Sequence, residues 1–362
     1  MRDLAGSRIL FDGYLVHEVL GAGGMGVVYR ALDLQHQREV ALKMLHARHV
    51  GNPVAIQRFE SEERAGRSVH HPNVVAVHDS GISLDGTPYL VMELVRGQLL
   101  DKLIEQEGEL PVRRVTAIVG QMLSGLQALH DARFVHGDVK TGNVLVESRG
   151  RADRVKLIDL GLARPPDEAG AVRARMASGT PEYMAPEVIR GDGTLPASDL
   201  YATGVVLYQL LTGTTPFEGG TSREILRRHL DDEVVPPSLR CPDRNIPGAL
   251  ERIVMIALAK DPNARQASAA AFAAALAAAP IAEAPPHTGR RPAVFSATAP
   301  TREWSHSVLA APRPIAGVDR TERLYLRRDP ELLARLGTRP TDLRLASQGS
   351  RSIDAAAKQG AG

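Results

Sequence analysis

An α+β chain in two lobes with a tail is the architecture this sequence predicts, and three observations carry it. Stretches rich in β-branched and aromatic residues crowd the first quarter, with one helical stretch among them. Apolar helical stretches dominate from residue 112 to residue 279. From Pro280 onward proline recurs and the core-forming pattern stops. The boundaries expected are a small lobe over 8–92, a larger one over 93–279, a Pro-rich linker over 280–317 and a largely disordered tail over 318–362. A length of 362 residues fits two lobes plus an extra segment, and 43% hydrophobic content supplies a sizeable core.

The formal charge of +2 is too balanced to argue for nucleic acid as the main partner. It is unevenly spread: residues from 281 onward carry 13 Lys and Arg against 8 Asp and Glu. One cysteine, Cys241, excludes an intramolecular disulfide and fits a reducing compartment. Met1-Arg2-Asp3 leads into mixed polarity without the apolar region of a signal peptide. No apolar run reaches the roughly 18 residues of a membrane span. The expectation is a soluble, cytoplasmic chain.

In the small lobe, Tyr14–Leu20 and Val27–Arg30 read as strands around Gly21-Ala22-Gly23-Gly24-Met25-Gly26. Glycines let backbone amides approach phosphate oxygens without Cβ obstruction. A dinucleotide-binding turn would need a helix directly afterwards, but Val27, Val28 and Tyr29 prefer strand. Val40-Ala41-Leu42-Lys43 reads as the next strand. Helical spacing runs from Pro53 to Val69, with Ile56, Phe59 and Glu62 or Glu63 in succession. Val74–Val77 and Tyr89–Met92 complete the sheet, and Glu93-Leu94-Val95 leads out of it.

The larger lobe begins with an amphipathic helix over Val112–His130, just after Pro111. It delivers His136-Gly137-Asp138-Val139-Lys140-Thr141-Gly142-Asn143, which sets an acid, a cation and an amide on one loop. Two short strands, Val144–Val146 and Val155–Ile158, run into Asp159-Leu160-Gly161. A proton acceptor, a cation and two metal-binding oxygens thus surround one hairpin, the layout that phosphoryl transfer needs. Asp199, a good N-cap residue, opens an apolar helix from Leu200 to Leu211 that ends at Gly213. Ala264–Ala279 closes the last helix.

With these motifs in order, and Thr180-Pro181-Glu182-Tyr183-Met184-Ala185-Pro186-Glu187 after them, the chain resembles a bacterial protein Ser/Thr kinase of the eukaryotic-like (Hanks) type. The resemblance covers roughly residues 10–275 and implies the bilobal kinase fold. It implies ATP with Mg²⁺, or Mn²⁺, between the lobes and protein Ser or Thr hydroxyls as acceptors, the chain itself included. Leu20, Gly21, Ala22, Gly23, Gly24, Met25, Gly26, Val27 and Val28 would cover the nucleotide. Lys43 would meet the α- and β-phosphates and pair with Glu62. Val28, Ala41 and Leu145 would sandwich the purine, with Met92 as gatekeeper and Glu93 to Val95 as the hinge. Asp138 would take or orient the acceptor proton, Lys140 would neutralise the γ-phosphate, and Asn143 and Asp159 would hold the metal. Thr180 and Glu182 belong to the substrate-docking loop. His136, Asp199, Glu187 and Arg265 are expected as scaffold, the last two as a buried ion pair.

The pattern is broken at several points. Gly137 stands where many kinases carry the Arg that receives an activation-loop phosphate. The segment from Asp159 to Glu187 offers only Ser178 and Thr180 as Ser/Thr acceptors, and Met176 occupies a common phosphosite. The expectation is a kinase that needs no such phosphate. Leu160 replaces the usual Phe, an apolar swap of similar volume. In the tail, Asp329 to Gly337 carries a cap, a first-turn Pro and a terminal Gly, which together predict a short helix. Residues 318–345 either dock on the kinase or a partner or form a mobile tail, Ser347 is a candidate autophosphorylation site, and a homodimer is carried for autophosphorylation. The rivals are a pseudokinase, an ATP-binding signalling scaffold that should have lost one of Lys43, Asp138, Asn143 and Asp159, and a small-molecule kinase of related fold, against which the docking loop argues.

Overall fold

The computed structural model describes residues 9–83, 86–150, 152–163 and 180–281. The expectations for Met176, Ser178 and the tail lie outside those residues. Strands β1 (Ile9–Phe11), β2 (Tyr14–Ala22), β3 (Gly26–Asp33), β4 (Arg38–Leu45), β5 (Val77–Ile82) and β6 (Pro88–Glu93) form one antiparallel sheet. Its order is β1-β2-β3-β4-β6-β5. Alternation on β4 decides what lies on each face. Val40 and Leu42 pack with Phe11, Tyr14 and Tyr89 on one side, while Ala41 and Leu45 pack with Val28, Phe59 and Met92 on the other. Lys43 has the parity of Ala41 and so points toward the second face.

That face receives helix α1 (Pro53–Ser68), whose start is fixed by Asn52: its side chain accepts from the amides of Val54 and Ala55, with Pro53 next. Ala55, Phe59, Glu62 and Ala65 are its buried stripe, at the three- and four-residue spacing of one helix face. The strand expected over Val74–Val77 is displaced: β5 begins only at Val77. Val75 instead donates to the Leu157 carbonyl, and Leu157 donates to that of Asn73, so this stretch is committed to the other lobe.

The second lobe contains β7 (Gln98–Leu99), α2 (Leu100–Glu107), α3 (Val112–Asp131), β8 (Val144–Arg149) and β9 (Ala152–Leu157). It continues through α4 (Pro186–Arg190), α5 (Pro196–Thr212), α6 (Ser222–Asp231), α7 (Pro237–Arg240), α8 (Gly248–Ala257) and α9 (Ala269–Ala278). Every residue of α5 from Ser198 to Thr212 is buried, the signature of a central helix that is apolar all round. Each fully buried Leu or Val there contributes about 1.5–3 kcal/mol. This helix starts earlier than expected, because Leu195 is the N-cap and donates its amide to Ser198 Oγ. Asp199 is therefore inside the first turn. The last helix starts later, at Ala269, where the Ser268 side chain caps it.

Candidate active site

Two clusters of charged side chains meet between the lobes. The first joins β4 to α1: Lys43 Nζ lies 2.5 Å from Glu62 Oε2 and 3.5 Å from Asp159 Oδ1. Glu62 is the carboxylate the resemblance implies; Glu60 is exposed and Glu63 turns to Ser80 and Arg67. Burial would push the Lys43 ammonium toward neutrality, but the charges of Glu62 and Asp159 outweigh it and raise its pKa. Asp159 adopts left-handed backbone geometry, φ +60°, which aims its carboxylate at Lys43. Burial opposes its charge, yet Lys43 and then Lys140 hold its pKa below the usual carboxylate range. A Cβ on Gly161 would lie 3.3 Å from Asp159 Oδ1 and 3.7 Å from Glu62 Oε2, so glycine lets this turn sit against α1.

The second cluster is the loop after α3. Asp138 Oδ2 accepts from Lys140 Nζ at 2.8 Å and from Asn143 Nδ2 at 2.9 Å. Asn143 Nδ2 also donates to the Asp138 carbonyl, which leaves Oδ1 as the oxygen a cation would use. The Ile158 amide donates to the Asn143 carbonyl, so Asp159 follows one residue beyond a bond to this loop. Lys140 Nζ also reaches Thr180 Oγ1 at 3.3 Å. Asp138, Thr180 and Met184 line a common pocket.

Among the described residues no group of three or more His, Cys, Asp or Glu could hold a metal ion. An Asp and an Asn suit Mg²⁺, which keeps waters and takes substrate phosphate oxygens. The glycine loop fits the same nucleotide. A Cβ on Gly23 or Gly24 would meet nothing within 4 Å and neither needs a positive φ, so protein packing does not demand glycine there. Gly26 is different: its Cβ would lie 2.2 Å from the Met44 carbonyl oxygen.

The comparisons with known proteins agree with this geometry. The protein kinase domain family model matches residues 14–276. The chain belongs to the protein kinase family. It is 40% identical over 306 residues to serine/threonine-protein kinase pkn3 of Myxococcus xanthus, covering 83% of this chain and 54% of that protein. It is 38% identical over 276 residues to serine/threonine-protein kinase PknL of Mycobacterium tuberculosis, covering 76% and 67%. The chain thus spans between about half and two thirds of the length of these relatives. The crystal structure of the Mycobacterium tuberculosis PknI kinase domain superposes with a TM-score of 0.59 at 27% identity, over 75% of this chain and 98% of that one.

Around the kinase cleft, Leu20, Met25, Val28, Ala41 and Met92 share one apolar cluster, and Ala41 faces Met92 across the strands. Gly21 and Val27 are buried, and Ala22 is exposed. Leu145 and Val95 are half-buried; Leu145 pairs with Lys156 and Leu99 on the neighbouring strands. Glu93 carries a bond the sequence did not foretell. Its side chain accepts from the Ala76 amide and from the buried Lys156, whose Nζ also donates to the Val74 carbonyl.

Asp199 reaches the loop after α3 from below. Its two oxygens accept from the amides of His136 and Gly137, each at 2.9 Å, and His130 Nε2 adds a third bond at 2.8 Å. Burial opposes its charge, but the bonds from His130 and Gly137 keep its pKa low. His136 is fully buried and its Nδ1 accepts from the Asp138 amide. Arg265 grips Glu187 with two bonds of 2.8 Å, and Ser198 donates to Glu187 as well. Glu182 is 7% exposed and its Oε2 has no partner among the described residues. Tyr183 beside it ties the loop from Thr180 to Ala185 to Gln209 and Thr141. Sequence reasoning missed Lys156 and His130, because their partners lie far away along the chain.

Proposed function

We infer that this chain is a protein serine/threonine kinase that transfers the γ-phosphate of ATP to Ser or Thr hydroxyls of proteins, itself included. One observation carries the reading: Lys43–Glu62–Asp159 and Asp138–Lys140–Asn143 face each other between the lobes. Asp138 orients the acceptor hydroxyl and takes its proton. Lys140, bonded to Asp138, offers a positive charge beside that hydroxyl. Lys43, fixed by Glu62, binds the α- and β-phosphates. Asn143 and Asp159 would hold Mg²⁺, which when bound neutralises phosphate charge. The residues from Leu20 to Val28, with Ala41, Met92, Glu93, Val95 and Leu145, hold the nucleotide, and Thr180 and Glu182 belong to the docking loop for the protein acceptor. No member of either cluster is missing, which weighs against a pseudokinase.

Among the described residues no helix is long and apolar enough to cross a membrane. A cytoplasmic location, self-association for autophosphorylation and docking of a partner by the tail accompany this proposal. The test is radiolabelled γ-phosphate transfer by the wild type beside Asp138→Asn and Lys43→Ala. The wild type should label Ser and Thr, and each variant should lose at least about a hundredfold in rate. Transfer by Asp138→Asn at the wild-type rate would refute the assigned base. Wild type that binds ATP without transferring phosphate would make the pseudokinase the better reading.

A further inference from the structure

We propose that His46, Arg48 and His49, on the connection between β4 and α1, form a clamp that positions the tip of the glycine loop for the nucleotide phosphates. The clamp rests on the kinase reading above and adds residues that belong to none of its motifs. Three consecutive carbonyls of the tip turn toward this connection. His46 Nε2 bonds the Gly23 oxygen at 3.0 Å. The Gly24 oxygen takes His49 Nε2 at 2.9 Å and Arg48 Nη2 at 3.0 Å, which fills both of its lone pairs. The His46 amide donates to the Met25 oxygen at 2.9 Å. Because a carbonyl can only accept, an imidazole bonded to one carries its proton on Nε2; at His49 that bond competes with the 3.3 Å contact in which Arg48 Nε donates to the same nitrogen.

The orientation of three carbonyls decides the orientation of the amides between them. The peptide is planar and no bond among the described residues is cis, so each N–H points opposite to the preceding C=O. Carbonyls turned toward the connection therefore turn the Gly24 and Met25 N–H groups away from it. Among the described residues neither amide donates a hydrogen bond. The space beside Gly23 and Gly24 is open where a Cβ would stand. Amides without protein partners, on a loop with room for an incoming group, are donors held ready for phosphate oxygens. A carbonyl that accepts from a cation also polarises its peptide and strengthens the N–H on the other side. Arg58 from α1 adds a contact to Met25 Sδ at 3.8 Å, so the tip is braced from two elements.

The experiment is calorimetric titration of the full chain with ATP and, separately, with adenosine, which has the same base and sugar but no phosphate. His46→Ala combined with His49→Ala should weaken ATP about tenfold, the equivalent of one or two lost hydrogen bonds. Adenosine should stay within about twofold in that variant. In turnover the loss should fall on the KM for ATP more than on kcat. Arg48→Ala should act in the same direction, while His46→Gln and Arg48→Lys, which keep an N–H donor, should restore most of the affinity. Unchanged ATP affinity in the double variant would overturn the clamp. A parallel loss of ATP and adenosine would overturn it too, because a general collapse of the lobe moves both. Wild type that failed to bind ATP would remove the kinase reading itself, a result distinct from wild type that binds beside indifferent variants.

Discussion

Gly137 occupies a position where the backbone, more than the side chain, carries the constraint. Its φ is +77°, and its amide is held by Asp199 Oδ1 while the His136 amide is held by Oδ2. The pair of bonds forces this left-handed turn, which glycine enters without penalty and an L-residue enters at about 1–2 kcal/mol. Gly137→Ala should therefore lose about 1–2 kcal/mol in urea unfolding while Asp138 keeps its partners. An unchanged midpoint would show that Asp199 does not impose the turn. An Arg at this position, as in the kinases that bind an activation-loop phosphate, would meet the same backbone cost. The expectation that no such phosphate is needed is checked by mass spectrometry of fully active enzyme. Stoichiometric phosphate on Ser178 would refute it.

At the scale of elements, the C-terminal end of β6 and strand β9 are joined by charges that no motif announces. Lys156 is buried, and its ammonium is shared between Glu93 and the Val74 carbonyl. Glu93 also takes the Ala76 amide, so one carboxylate gathers the end of β6, the residue before β5 and the second lobe. Removing one partner of a buried pair leaves a bare charge, whereas removing both is far cheaper. Lys156→Met alone should cost about 3–5 kcal/mol, and Lys156→Met with Glu93→Met clearly less. Equal losses in the single and double variants, measured by urea unfolding, would show that the pair is not coupled.

For the whole molecule, acid is the informative stress. Asp199 and Glu187 have folded pKa values below their unfolded ones: burial opposes their charge, but His130 and Arg265 outweigh it. Their contribution is complete above the unfolded carboxylate values near about 4 and is lost as pH falls through the folded values. His229 acts earlier. It is buried, accepts from Tyr201, and lies near Lys260, and desolvation first, then that charge, lowers its pKa to about 3. The unfolded imidazole takes a proton at about 6.5 while the folded one stays neutral, so stability declines as pH drops below that value. Urea midpoints of wild type should fall between about pH 6.5 and 4.5, and His229→Gln should flatten that slope. A variant with the wild-type slope would exclude His229 as the source.

The composition of the catalytic loop, the glycine loop and the Asp159 turn was legible from the chain alone. Phosphoryl transfer demands an acid, a cation, an amide and unobstructed backbone at short spacings, and such groups lie within a few residues of one another. Helical spacing left Glu62 and Glu63 both open; Glu62 was singled out by the resemblance, through its spacing to His71-Pro72-Asn73, and the fold buries it while Glu60 is exposed. Pairings that close over long stretches of chain were not legible. His130 with Asp199, Lys156 with Glu93, and His46 and His49 with the glycine loop have no local spacing to betray them. The strand expected at Val74 was lost for the same reason, since its backbone bonds went to Leu157 on the other lobe. Local sequence determines which groups a loop can present, and backbone periodicity determines the face on which each lies. Which distant group satisfies a buried charge or carbonyl is decided only when packing removes water and leaves that partner as the remaining one.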